Sequence, residues 1–158
     1  MSALDQVLTS PAARALTLAL TRITMAGLLF WWGLVKGLNT GVGPAVSEGF
    51  YGGAFGGALL IAFGWVQVLA ALSLALGLAR GVLLPFQLIV NLSTLAVTAA
   101  WVIDPFWLWM PGESPRATGY LFYPSAIVAV VSLLLIAFCH EDRYALDHVV
   151  FGKRSAAA

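Results

Sequence analysis

Arg22, Lys36, Gln67 and Asn91 are the residues best placed to do chemistry, because each lies inside or at the end of a long apolar run. Ionisable and amide groups in that setting bind ligands, carry protons or hold helices together. Arg22 is the most demanding, since an arginine at mid-membrane costs at least about 2.5 kcal/mol on insertion scales and so faces protein or a water-filled cavity. It stands about 16 Å into its helix at 1.5 Å per residue, which leaves two readings: an anchor or structural partner that snorkels, or a ligand or proton site. Lys36 shares its face and reads as an interfacial anchor or a partner of Glu48 or Asp104. Gln67 and Asn91 read either as ligand contacts or as interhelical bonds worth about 0.6 kcal/mol each. Trp32, Trp65 and Trp101 complete the candidate ligand-binding set.

The elements that must position these groups follow from composition. With 61% apolar and 9% charged residues and a mean hydropathy of +0.93, this is an integral membrane protein. Uncharged runs cover 23–35, 50–79, 81–103 and 117–139, against the roughly 20 residues that a spanning helix needs. The first qualifies if it starts earlier, and Ser10 as N-cap with Pro11 at the first helical position supplies that start. The expectation is an all-α, four-helix bundle with helices at about 11–38, 52–79, 82–103 and 118–139. It forms one domain over 1–152, with 153–158 disordered. Lys36 at its far end and the lack of a small-residue cleavage site argue against reading the first helix as a signal peptide. Arg14, Arg22, Arg80, Arg143, Lys153 and Arg154 fall on one side and Lys36 and Arg116 on the other, which predicts cytoplasmic termini.

Helices two and three are joined by a bare turn at 78–81 and are therefore antiparallel neighbours. The outward connections differ: 39–49 is a Gly-rich loop, and 104–118 holds Pro105, Pro111 and Pro115 among Trp107, Trp109, Glu113 and Arg116. The segment 141–152 is expected to form a short interfacial helix. Gln87, Asn91, Thr94 and Thr98 form one helical stripe that must face protein. Gly64, Gln67 and Ala71 share a face, as do Arg22, Ala26, Leu29, Gly33 and Lys36. Gly52, Gly53, Gly56 and Gly57 give overlapping small-residue pairs suited to close packing at the start of helix two. Aromatic residues gather at the outer helix ends, among them Trp31, Trp32, Tyr51, Phe55, Trp101 and Tyr123. They form an interfacial belt or line a ligand pocket.

Other chemistries have no support. Cys139 is the only cysteine, which excludes an internal disulfide and paired-cysteine redox chemistry. His140 and His148 lack zinc-site spacing, so no metal is expected. Phosphate-loop, Ser-His-Asp and nucleic-acid signatures are missing as well.

The run Leu20, Thr21, Arg22, Gly27, Phe30, Gly33, Lys36 and Gly37 resembles the opening of DoxX-type membrane proteins. Gln67 and Leu74 through Arg80 resemble that family's second helix and its Leu-Gly-Leu turn, and Arg143 through Asp147 resembles its closing Ser-Leu-Asp element, with Ala145 in the serine position. Gln67 departs from the glutamate frequent there, and 104–118 is longer and more aromatic than usual. The resemblance implies a multi-pass subunit of a bacterial or archaeal plasma membrane, working beside redox proteins. Its cofactor would be no intrinsic group but an associated quinone, whose oxygens Arg22, Lys36, Gln67 or Asn91 would hydrogen-bond while aromatics flank the ring. With no redox-cofactor motif in the sequence, electrons would come from a protein partner. Membrane lipid and a protein partner or second copy are the expected neighbours. Two other readings stand beside it: a non-catalytic assembly or maturation protein, and a small-solute transporter. Pro85 and Pro124 near the starts of helices three and four are the nearest thing to a transporter's broken helices.

Overall fold

The computed structural model describes residues 9–39, 41–104, 108–109 and 123–150. Among these the chain is all-helical: α1 (Pro11–Leu38), α2 (Val42–Tyr51), α3 (Gly57–Leu76), α4 (Arg80–Ile103), α5 (Tyr123–Ala137) and α6 (Asp147–Val150).

Helix α1 begins where its cap dictates, with Ser10 Oγ accepting from the Ala13 amide at 3.2 Å and Pro11 needing no donor. It ends at Asn39, whose backbone turns extended. The Gly-rich loop expected over 39–49 is instead helix α2. Pro44 falls in its first turn, where a missing N–H breaks no bond, and the glycines are too few to unwind it. The helix expected over 52–79 is shorter at both ends. Gly52 and Gly53 adopt φ +59° and +76°, closing α2 in the left-handed region and delaying the next helix to Gly57. A Cβ on Gly52, Gly53 or Gly56 would meet nothing within 4 Å, so these are turn glycines and not the packing surface expected of them.

Close helix approach occurs elsewhere. A Cβ on Gly33 would lie 2.7 Å from the Gly64 carbonyl oxygen, and one on Gly64 would lie 2.8 Å from that of Gly33. Backbone therefore packs on backbone where α1 crosses α3. α1 packs along α3, α4 packs along α5, and contacts between the two pairs are sparse.

The surface inverts the soluble pattern. Leu20, Leu69, Val82, Ile89, Val130 and Leu133 are exposed, while Arg22, Gln67, Gln87, Asn91 and Thr98 are buried. Three helices are long and apolar enough to cross a membrane: α1, α3 and the first 21 residues of α4. Apolar α5 has 15 described residues, about 22 Å at 1.5 Å per residue, and 118–122 lie outside the described residues. This is the architecture of an α-helical membrane protein. Beyond α5, 138–146 form turns before the four-residue α6, so the interfacial helix expected over 141–152 is largely replaced by turns; 151 and 152 lie outside the described residues.

The bundle interior is filled with apolar side chains from all four long helices: Leu18, Met25 and Ala26, Leu74, Leu84, and Val128 with Leu135.

Candidate functional site

The two cations of α1 serve different ends of the bundle. Fourteen positions separate Arg22 from Lys36, about 21 Å along the helix, so they cannot contact one ligand head.

Arg22 closes the end that holds the start of α1 and the tail. The turn between α3 and α4 is a Schellman cap: the Gly77 amide donates to the Leu74 carbonyl and the Leu78 amide to Ser73, both at 2.9 Å, with Gly77 at φ +73°. Arg22 reaches under it. Its Nη1 donates to the carbonyls of Leu74 (2.9 Å) and Ala75, and its Nε to Asp142 Oδ2 at 2.7 Å. These are end-of-helix carbonyls, where a cation also meets the negative pole of α3. Arg80 Nη1 contacts the same Asp142 oxygen at 3.2 Å, and Arg80 Nε contacts Asp147 Oδ2 at 3.2 Å. Asp147 in turn caps α4 from outside, accepting from the Ala79 and Arg80 amides at 2.8 and 3.0 Å. The tail backbone joins in: Leu146 and Asp147 donate to the carbonyls of Leu76 and Gly77 at 3.2 and 3.0 Å. No side chain fits at Gly77, where a Cβ would stand 2.6 Å from Ala145. Burial pushes the Asp147 carboxyl up, but the Arg80 and Ala79 amides and the Arg80 guanidinium outweigh it and hold it below its ordinary range. Of the two roles open to Arg22, the geometry satisfies the structural one. The residues carrying the family resemblance in three separate segments, Arg22, Gly77 to Arg80 and Ala145 to Asp147, meet in this latch.

Lys36 belongs to a polar cavity at the other end, between the two helix pairs. It holds about 90 Å³ and is lined by Leu29, Trp32, Lys36, Gln67, Gln87, Asn91 and Thr94, among others. Lys36 Nζ donates to Gln67 Oε1 at 2.8 Å and lies 5.4 Å from the Phe63 ring centroid. That amide stands where Glu48 or Asp104 was expected; Glu48 is exposed, and among the described residues Lys36 makes no ion pair. Asp104 accepts from the amides of Leu108 and Trp109 at 2.8 and 2.6 Å, which ties these two residues to the end of α4.

The α4 stripe faces protein: Gln87 and Thr98 are 1% exposed and Asn91 9%. Among the described residues, however, its side-chain hydrogen bonds do not cross helices. Asn91 Nδ2 donates to the Gln87 carbonyl at 2.8 Å, Thr94 to Val90 at 3.0 Å and Thr98 to Thr94 at 2.7 Å, all back along α4. The glue expected between helices is thus bonding within one helix. Among the described residues, Gln87 Oε1 is buried without a hydrogen-bond donor. A buried amide oxygen left open beside a lysine and a second amide costs free energy that a donating group of a ligand or water would recover.

Two apolar grooves flank the cavity. One, between α3 and α4, holds about 450 Å³, is walled by Tyr51, Phe55, Phe63 and Phe86, and shares Lys36, Val90 and Thr94 with the cavity. Tyr51 and Phe55 meet edge to face at 5.1 Å, as do Phe63 and Phe86 at 6.4 Å. Burial pushes the Tyr51 phenol up, so it stays protonated and can donate. The other groove lies between α1 and α5 and shares Leu28 and Pro124 with the cavity.

Of the seven residues singled out from sequence, Lys36, Gln67, Asn91 and Trp32 meet at the cavity. Arg22 sits in the latch, and Trp65 is 44% exposed with its indole against Gly37. The Trp101 side chain lies outside the described residues, as do Trp107, Glu113, Arg116 and the three loop prolines. Sequence reasoning left Asp142, Gln87, Phe63 and Phe86 out of the set. Asp142 was findable, because a buried arginine demands a carboxylate and the chain has only seven acidic residues. Comparison with family models, with curated proteins and with solved structures returns no match for this chain.

Proposed function

We propose that this chain is a four-helix, multi-pass subunit of a plasma membrane that holds the head of a quinone-type molecule for a redox partner. The observation that carries the reading is the cavity where Lys36, Gln67, Gln87 and Asn91 converge inside an apolar bundle, with no carboxylate paired to the lysine among the described residues. A quinone oxygen accepts hydrogen bonds from an ammonium and an amide N–H, the hydroxyl of its reduced form can donate to the open Gln87 Oε1, and the ring suits the aromatic wall at Phe63 and Phe86. Lateral grooves suit a ligand that arrives through lipid rather than water. The chain's part is to bind and orient; electrons would be delivered by the partner protein. Cytoplasmic termini are favoured by Arg14, Arg22, Arg80 and Arg143, which all gather at the latch end.

The test is the organic extract of the chain purified from native membranes in mild detergent. Wild type should retain near-stoichiometric quinone, and Lys36→Met and Gln67→Leu should each retain at least tenfold less while staying folded. Equal quinone in all three would sink the proposal, and a stoichiometric protein partner with no quinone would assign the chain to assembly instead.

A further inference from the structure

The cavity at Lys36 holds about 90 Å³, room for about three waters at the volume each takes in the liquid. An organic head placed there must therefore extend through one of its mouths. The mouth toward α3 and α4 is aromatic and carries the lysine. On the opposite side, at Leu28 and Pro124, the cavity borders a far larger groove of about 780 Å³ between α1 and α5, walled by Gly27, Trp31, Ile127 and Val131 among others. Polar atoms contribute little to that wall, and those of Thr17 and its neighbours lie along its α1 edge.

The groove exists for two reasons. α1 and α5 touch only sparsely, and Gly27 presents no side chain at the middle of α1 where a Cβ would meet nothing within 4 Å. A glycine inside a long helix weakens it relative to alanine. It packs against no neighbouring helix here, unlike Gly33. What it provides is depth in a groove that borders the cavity at Leu28 and Pro124.

We infer that the ligand is a one-tailed amphiphile whose apolar tail leaves the polar cavity between α1 and α5, over Gly27. The inference rests on reading the cavity as a head-group site. A bulk lipid chain would fill the groove without reaching Lys36, and a protein helix would cover it without entering a cavity of about 90 Å³. A tail covalently joined to a polar head does both.

The experiment measures binding to the full chain in detergent by quenching of its tryptophan fluorescence, Trp32 lining the cavity. The probes are a benzoquinone with a ten-carbon tail and the same ring without one. Gly27→Leu fills the groove with a better helix former, and Ile127→Trp narrows it from the α5 side, where Ile127 is 54% exposed. The tailed probe should bind wild type at least tenfold more tightly than the tailless one. Both variants should lose that advantage while tailless binding stays within about twofold. Should either folded variant keep the full advantage of the tailed probe, the tail route is wrong and the head site stands. Equal wild-type affinity for both probes would likewise show that the groove holds lipid alone. If neither probe binds wild type, the head-group reading falls, and the tail route with it.

Discussion

Asp142→Asn tests the latch, and its cost can be worked from the geometry. The Asp142 carboxylate lies 2.7 Å from Arg22 Nε and 3.2 Å from Arg80 Nη1, with side-chain exposures of 3%, 2% and 9% in that order. An asparagine keeps the shape and one acceptor oxygen, but two guanidiniums then share a buried site with no neighbouring negative charge on that side. Removing one partner of a buried pair costs about 3 to 5 kcal/mol, and the retained acceptor puts the change near the lower end. At roughly 2 to 4 °C per kcal/mol for a chain of this size, thermal unfolding in detergent should fall by about 6 to 12 °C. Arg22→Met should cost a similar amount, since it also uncaps the Leu74 and Ala75 carbonyls. The double change should cost less than the sum by at least about 1.5 kcal/mol, the coupling expected of groups in one network. An unfolding temperature within about 2 °C of wild type for Asp142→Asn, or strict additivity, would refute the claim that Arg22 is held by the tail.

Three further changes probe other parts. Gly64→Ala sets a methyl 2.8 Å from the Gly33 carbonyl oxygen and 2.9 Å from the Gly37 nitrogen, so α1 and α3 must separate; a loss of about 1 to 3 kcal/mol in chemical denaturation is expected. Asn91→Leu should cost less than about 1 kcal/mol, because its hydrogen bond stays within α4, yet it should reduce retained quinone in the purified chain. Asp147 has a folded-state pKa below its unfolded value, so its contribution is complete above the unfolded value near 3.9 and is lost as pH falls through the folded one. Thermal unfolding of wild type should therefore weaken below about pH 4, and Asp147→Asn should flatten that acid limb while lowering stability at neutral pH.

What could be read from the sequence was whatever a local signal or helical periodicity fixes. Ser10 and Pro11 set the start of α1, and Asn39 ends it where Lys36 leaves the apolar run. The α4 stripe was visible as spacing, and burial of Gln87, Asn91 and Thr98 follows from it. The glycine pair at 52 and 53 misled because small residues serve both turns and close contacts, and only φ distinguishes the two uses. α2 was hidden by Gly41, Gly43 and Pro44, residues that mark loops in isolation but are tolerated at a helix start. For Arg22 the sequence left two roles open, and the answer depended on Asp142, 120 positions away and on no shared helix. The cavity was legible only in part: Lys36 and Gln67 were marked by polarity, whereas Phe63 and Phe86 look like any lipid-facing aromatics until α3 and α4 are set side by side.

The central claim is that a quinone-type head occupies the cavity between the two helix pairs, and photoaffinity labelling with an azido-quinone in native membranes tests it most directly. The expected result is label confined to peptides covering 32–36, 63–67 and 87–94, displaced by unlabelled quinone and lost in Gln67→Leu. Label scattered over outward residues such as Leu69, Val82 and Val130, or centred on the latch around Arg22, would contradict it.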